Sequence, residues 1–220
     1  ARATQTREGG LAPRCEPSLP GLGRPRSVDQ AVSLINALPR PLTLDCFLSA
    51  LERPLSIVAT ESTISAQPAV GRENPRLFLM SNELVMSVAT SGAGASLLEF
   101  GEFVDARTTI KGELKFPILG TAPLSAAAPF ARISGPQGTS CGLCHEDEDL
   151  LADSRGRVYA SLALRPSQDE EIELAEVRNA WMNCDAAVEP QRCARLDGVF
   201  AYGELEQGHF AESLPTIFDR

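Results

Sequence analysis

The sequence lacks several features that would assign it to a common functional class. A membrane-spanning helix needs about 18 apolar residues, and no apolar run approaches that length, so no span is predicted. There is no G-x-G-x-x-G sequence and no phosphate-binding loop, so nothing indicates a nucleotide site. Aromatic residues make up only 5% of the chain, and there are only two histidines, so few imidazole side chains are available to bind a metal.

The composition is that of a globular protein with an acidic surface. The chain has 220 residues, 43% hydrophobic and 22% charged, which fits one large domain or two small ones. The net charge of −9 and the pI of about 4.8 disfavour nucleic acid and anionic membranes as partners and would attract a basic protein. The first residue is Ala1 rather than Met, and we expect a product from which a targeting segment has been removed.

Sequence patterns predict an extended arm followed by a β-rich body. Residues 1–26 are rich in Arg, Gly and Pro and predict the arm, while 27–220 predict a single domain. Ser27 and Gln30 form a capping box for a helix over 27–38, and a second, amphipathic helix is predicted at about 169–183. Predicted strands cover 55–60, 76–80, 84–89, 97–103, 108–116, 130–133, 158–164 and 196–203. The expected fold is mainly β with flanking helices, with an antiparallel β-sandwich or a barrel-like body.

One short motif, Cys141-Gly142-Leu143-Cys144-His145, carries the clearest chemical signal. Two thiols one turn apart can add to the two vinyl groups of one haem, and the next residue supplies an imidazole for the iron. The motif resembles the haem-attachment site of c-type cytochromes, and the resemblance covers these five residues only. It implies one covalent haem c, with Cys141 and Cys144 as thioether attachments and His145 as the proximal iron ligand.

The second iron ligand must lie elsewhere in the chain. Cytochromes of this type commonly use His or Met, so His209 is the first candidate and Met182, on the predicted C-terminal helix, is the alternative. Two protein ligands imply electron transfer, whereas an open position permits peroxide or gas chemistry. The acidic run 146–149 has two interpretations: it begins a helix, or it lowers the haem potential and attracts a basic redox partner.

The fold and the remaining cysteines extend this hypothesis. Small c-type cytochromes are mostly helical with the motif near the N-terminus, whereas this motif follows predicted strands, so their fold is not expected here. Four cysteines remain and allow three pairings; local pairing gives Cys15–Cys46 and Cys184–Cys193. Disulfides predict an oxidising compartment, the bacterial periplasm or the cell exterior, where haem c is also attached.

Three other interpretations of the two motif cysteines stay open. A thioredoxin-like pair follows a strand, but the preceding segment 135–140 reads as a loop. Zinc needs four ligands, and Cys141, Cys144 and His145 supply three without a second ligand pair nearby. The simplest alternative is a local disulfide.

We therefore expect an extracytoplasmic monohaem c-type protein that transfers electrons, an electron carrier rather than a catalyst. Its partner would be a redox protein, basic or part of a multi-subunit complex. The first alternative is a haem enzyme or a gas or redox sensor with an open iron position. The second is a disulfide-stapled β-sandwich binding module with zinc or no metal at Cys141 and Cys144.

Overall fold

The computed structural model describes residues 13–219. Of the predicted arm, residues 1–12 lie outside this range, and residues 13–26 contain neither helix nor strand. A disulfide between Cys15 and Cys46 joins the arm to the body. The side chain of Arg14 adds hydrogen bonds to the carbonyls of Ser49 and Leu51, so this part of the arm packs against the domain.

The described residues form five helices and eleven strands. The helices are α1 (Val28–Ala37), α2 (Leu44–Ala50), α3 (Ala128–Ile133), α4 (Leu174–Met182) and α5 (Pro190–Phe200). The strands are β1 (Leu55–Thr60), β2 (Arg76–Ser81), β3 (Leu84–Ala89), β4 (Leu97–Phe103), β5 (Thr108–Lys115), β6 (Ser134–Gly135), β7 (Gly138–Thr139), β8 (Asp149–Leu151), β9 (Val158–Leu162), β10 (Glu171–Ile172) and β11 (Leu205–Gln207). Short 3₁₀ turns cover Ser140–Leu143 and Gln168–Glu170.

The first helix confirms the predicted N-cap at Ser27, and the Gln30 side chain closes the cap on the Arg26 amide rather than on that of Ser27. The Ser27 hydroxyl accepts a hydrogen bond from the Gln30 amide at 3.2 Å, and the Gln30 side chain accepts one from the Arg26 amide at 2.8 Å. The helix ends at Ala37, because Leu38 is extended ahead of Pro39.

Nine strands form one sheet in the order β10-β1-β2-β3-β4-β5-β9-β8, with β11 also paired to β1. All of these pairs are antiparallel except β1 with β11. The predicted β2–β3 hairpin is present, and Asn82 turns it with a φ of 45°. The prediction of a mainly β fold flanked by helices, and not an all-helical one, is confirmed. The nine strands form one continuous sheet rather than the two packed sheets of a sandwich, and β6 and β7 form a separate two-stranded sheet.

The two faces of the sheet have different chemistry. Alternate residues of β1–β5 pack with the helices into one apolar core, which includes Ile57, Leu77, Leu79, Met86, Val88, Leu98, Phe100, Ile110 and Leu114. The residues between them point to the opposite face, because side chains alternate along a strand. That second face carries Phe78, Val85, Ser87, Glu99, Lys111 and Glu113, and it forms the floor of the candidate site.

Three segments differ from their predictions. Residues 130–133 belong to helix α3, which has Pro129 in its first turn, and residues 196–200 end helix α5, whose first residue is Pro190. Proline favours the first turn of a helix, and this preference prevailed over the strand-like composition. The C-terminal helix begins at Leu174 rather than 169, because Glu171–Ile172 pairs with β1 first. Within residues 13–219, no helix has both the length and the apolar character for crossing a membrane.

Candidate functional site

A cleft lies over the sheet face that the helices leave uncovered. It encloses about 1390 Å³ of non-protein space, part of which is open solvent. Cys141, Cys144 and His145 form part of its wall, so the structure brings the three chemically functional residues of the motif to one concave site. Other walls come from the 163–167 segment and from the C-terminal segment that contains Phe210. Phe210 packs edge-on against Phe78 of the floor, with ring centroids 5.1 Å apart.

The motif itself forms one tight turn. The amides of Cys144 and His145 both donate to the carbonyl of Cys141, at 3.0 and 2.9 Å. Residues three apart in a 3₁₀ turn lie on the same side, so Cys141 and Cys144 are presented together. Thr139 caps the turn, because its hydroxyl accepts the Cys141 amide at 3.1 Å.

Glu148 supports this turn from the acidic run that follows it. Its carboxylate accepts the Thr139 amide at 2.8 Å and also the Thr139 hydroxyl. The carboxylate packs so closely on Gly138 and Gly142 that a Cβ at either position would lie within 2.7 Å of it. Gly138 also has a φ of 145°, which favours glycine. The expectation that 146–149 begins a helix is wrong, since Asp149 starts strand β8 and Glu148 holds Thr139, the cap of the motif turn.

His145 is oriented by the end of strand β9. Its Nδ1 lies 2.8 Å from the carbonyl oxygen of Leu162, and the Leu162 amide donates to the carbonyl of Glu146 at 3.1 Å. A carbonyl oxygen only accepts, so Nδ1 must carry the proton in this contact, and the neutral ring has its lone pair on Nε2. Metal-binding histidines are commonly oriented in this way by a hydrogen bond from the other ring nitrogen.

Charged side chains lie on the floor of the cleft. Ser87, Glu99 and Glu113 stand directly opposite one another on β3, β4 and β5. The guanidinium of Arg76 donates to the Ser87 hydroxyl at 2.9 Å and to the Glu99 carboxylate at 2.6 Å. It also lies 4.6 Å from the centre of the Phe78 ring. The floor therefore combines an ion pair with an aromatic surface.

Burial shifts the pKa of three groups in the cleft. It raises the pKa of Glu99, and the nearby Arg76 partly opposes this change. It lowers the pKa of Lys111 to about 8 and raises the pKa of the Cys141 thiol to about 11. The Lys111 ammonium donates to the Thr109 hydroxyl and lies 3.3 Å from the Leu162 carbonyl. The space beside it is enlarged because Gly101, opposite Lys111 on β4, has no side chain.

The two candidates for the second iron ligand lie elsewhere. His209 is exposed and does not line the cleft, although the next residue, Phe210, does. Met182 packs against the apolar core on the helix side of the sheet. The structure thus groups Cys141, Cys144 and His145 but brings neither candidate to the cleft wall.

The alternative interpretations of the two cysteines find little support. Cys141 and Cys144 are both free, so no local disulfide is formed. A redox dithiol needs a cysteine whose pKa is lowered, and the pKa of Cys141 is raised by burial. Among the side chains of residues 13–219, no group of three or more His, Cys, Asp or Glu is placed to hold a metal ion.

Sequence patterns missed Arg76, Glu99 and Lys111 as site residues. On β2, β4 and β5 they alternate with apolar residues, a pattern that normally indicates a solvent-facing side of the sheet. The only available signal was weak: charged residues in strands that are otherwise rich in apolar and β-branched residues. The segments that cover this face are irregular and left no periodic pattern.

Both predicted disulfides are formed. Cys15 pairs with Cys46, and Cys184 pairs with Cys193 at the amino-terminal half of α5. Disulfides are unusual in cytosolic proteins, so their presence supports an oxidising environment.

A scan against protein-family models and searches of curated proteins and of solved structures found no match to this chain.

Proposed function

We propose that this chain is an extracytoplasmic redox protein that carries one covalent haem c at Cys141, Cys144 and His145. The observation that carries the proposal is the contact of His145 Nδ1 with the Leu162 carbonyl, at 2.8 Å. The turn that precedes His145 presents both free cysteines to the same cleft. This contact assigns the lone pair to Nε2, the atom that an iron ligand needs.

The cleft has the chemistry that a haem requires. Its lining includes Phe78, Val85, Phe103, Phe210, Ile217 and Phe218, which provide an apolar surface for a macrocycle. Arg165 in its wall suits a carboxylate of such a group, whereas Arg76 is already paired with Glu99. Cys141 and Cys144 would hold the haem by thioether bonds and His145 would bind its iron, which supplies one-electron chemistry.

Electron transfer is the role that follows from a haem in this setting. The net charge of −9 favours a basic redox partner, which opposite charge would steer toward the acidic chain. The two disulfides support a periplasmic or extracellular site of action, where haem c is attached in bacteria. A role within a larger assembly agrees with this setting.

A second candidate function is binding or activation of a small molecule at an open iron position. One observation favours it: His209 and Met182 do not line the cleft, whereas the partly buried Arg76 and Glu99 and the buried Lys111 do. Polar side chains beside an open position are what gas or peroxide chemistry requires. Binding of carbon monoxide to the reduced protein separates the two candidates, and His209→Ala tests whether that residue closes the position.

The test of haem attachment is an alkaline pyridine haemochrome spectrum after acid–acetone extraction. The protein is produced in a host that attaches haem c, and the extraction removes haem that is not covalently bound. The proposal predicts that a c-type spectrum remains with the polypeptide. Loss of all haem colour into the solvent, or no colour before extraction, would refute it, and zinc analysis would then follow.

A further inference from the structure

A single backbone oxygen connects the proposed iron ligand with a buried lysine. The carbonyl of Leu162 lies 2.8 Å from His145 Nδ1 and 3.3 Å from the Lys111 ammonium. Leu162 is the last residue of β9, and Lys111 lies on the adjacent strand β5, so the sheet itself places the ammonium beside the carbonyl that His145 also contacts. Both contacts have hydrogen-bond distances, and the second is the longer one.

The position of Lys111 is unusual for its residue type. Only 7% of its surface is exposed, and buried lysines are rare unless they are paired. Its hydrogen bonds are to neutral groups, the Thr109 hydroxyl and the Leu162 carbonyl. The acidic groups that act on it, Cys141, Glu148 and Glu99, do so by charge alone, and Cys141 would be uncharged as a thioether. The Lys111 ammonium therefore acts on His145, which shares the Leu162 carbonyl with it.

The shared carbonyl gives the lysine a route to the histidine. Two donors on one oxygen compete for its electron density, so the ammonium weakens the hydrogen bond from His145 Nδ1. A weaker bond makes the imidazole a poorer electron donor, since hydrogen bonding at the outer nitrogen raises ligand basicity. A poorer donor and a nearby positive charge both disfavour ferric relative to ferrous iron.

We propose that Lys111 is a positioning residue that acts on His145 through the Leu162 carbonyl and raises the reduction potential of the haem site. This inference rests on the proposed haem attachment at Cys141, Cys144 and His145. It adds a determinant of the reduction potential that lies outside the motif, on strand β5.

The test is Lys111→Met in the haem-loaded protein. Methionine has a similar length and no charge, and it removes a buried ammonium, so folding is expected to be retained. The expected result is a lower reduction potential than in the wild type. The hyperfine-shifted proton signal of His145 Nδ1 should also move in the NMR spectrum, because that proton reports its hydrogen bond directly.

Two further variants separate this effect from loss of charge in general. Lys111 and Lys115 are the only lysines in the chain, and Lys115 is exposed on the same strand. Lys115→Met should therefore leave both the potential and the proton signal unchanged. Lys111→Arg keeps a charged donor and should restore most of the wild-type potential. If Lys111→Met does not accumulate with haem, Lys111→Gln keeps a neutral donor and should give an intermediate potential.

The outcomes distinguish this inference from the proposed function. Wild-type protein without covalent haem would refute the proposed function. Covalent haem in every variant, with the same potential and proton signal for Lys111→Met (or Lys111→Gln) and Lys115→Met, would refute the role of Lys111 alone.

Discussion

Replacing Glu148 by Ala is expected to loosen the turn that carries the two motif cysteines. The Glu148 carboxylate accepts both the amide and the hydroxyl of Thr139, and that hydroxyl accepts the Cys141 amide. Without the carboxylate, the Thr139 amide loses its acceptor and the cap of the turn loses its support.

The free-energy cost of losing the Glu148 carboxylate follows from its hydrogen bonds and its exposure. Hydrogen bonds to a charged group contribute roughly 1.5–3 kcal/mol each, and Glu148 is only half-buried, so we take about 2 kcal/mol for local opening of the turn. Because about 1.4 kcal/mol corresponds to a tenfold change in an equilibrium constant, the amides of Thr139 and Cys141 should exchange hydrogen about 30-fold faster.

Hydrogen exchange followed by NMR measures this directly. Glu148→Gln keeps one acceptor oxygen and should show a smaller effect. Asp149→Ala removes a charge from the same acidic run at an exposed side chain and should leave the exchange of both amides unchanged. Equal exchange rates in Glu148→Ala and Asp149→Ala would refute the reasoning, because the turn would then not depend on this carboxylate.

Three other predictions concern stability and access. Replacing Cys184 and Cys193 by Ala opens a loop with a sequence separation of 9 and should lower the free energy of unfolding by about 2.7 kcal/mol in denaturant titrations. Hydrogen bonds from the Arg107 amide and from the hydroxyl and amide of Thr108 hold the pKa of Asp105 below its ordinary value. Its stabilisation is therefore present above the ordinary pKa and lost as the pH falls through the lower folded pKa, so the melting temperatures of wild type and Asp105→Asn should converge as the pH is lowered through that range. Arg165→Leu removes the donor to the Leu214 carbonyl, and the C-terminal segment over the cleft should exchange amide hydrogens faster, whereas unchanged exchange would show that other contacts hold it.

Local patterns were sufficient for much of the scaffold. The N-terminal cap of α1 was readable because Ser27 and Gln30 act on amides within four residues of themselves. The strands of the β2–β3 hairpin were readable from alternation, and both disulfides followed from pairing cysteines that are near in sequence. Apart from Cys15–Cys46, which are 31 positions apart, these features depend on short sequence separations that a linear pattern records.

The interior of the site depends on contacts that are remote in sequence. Lys111 and Leu162 are 51 positions apart, and nothing in either local pattern indicates that they share an acceptor with His145. Arg76 and Glu99 looked like residues of a solvent-facing side because their strands alternate normally. Only the irregular segments that cover the sheet bury them, and such segments have no period by which they can be recognised.

The strand-like residues 130–133 and 196–200 show a further limit. Their apolar and aromatic residues suit either a strand or a helix, and the prolines at 129 and 190 decided for helix in the structure. Composition alone does not distinguish the two when the apolar run is short.

The central claim is that one haem is bound covalently to Cys141 and Cys144. Intact mass spectrometry of protein matured in a host that attaches haem c tests it most directly. The claim predicts a mass that exceeds the polypeptide by one haem, lost in a Cys141→Ala/Cys144→Ala variant and retained in Cys184→Ala/Cys193→Ala. A wild-type mass equal to that of the polypeptide alone, or a haem adduct that persists in the Cys141→Ala/Cys144→Ala variant, would contradict it.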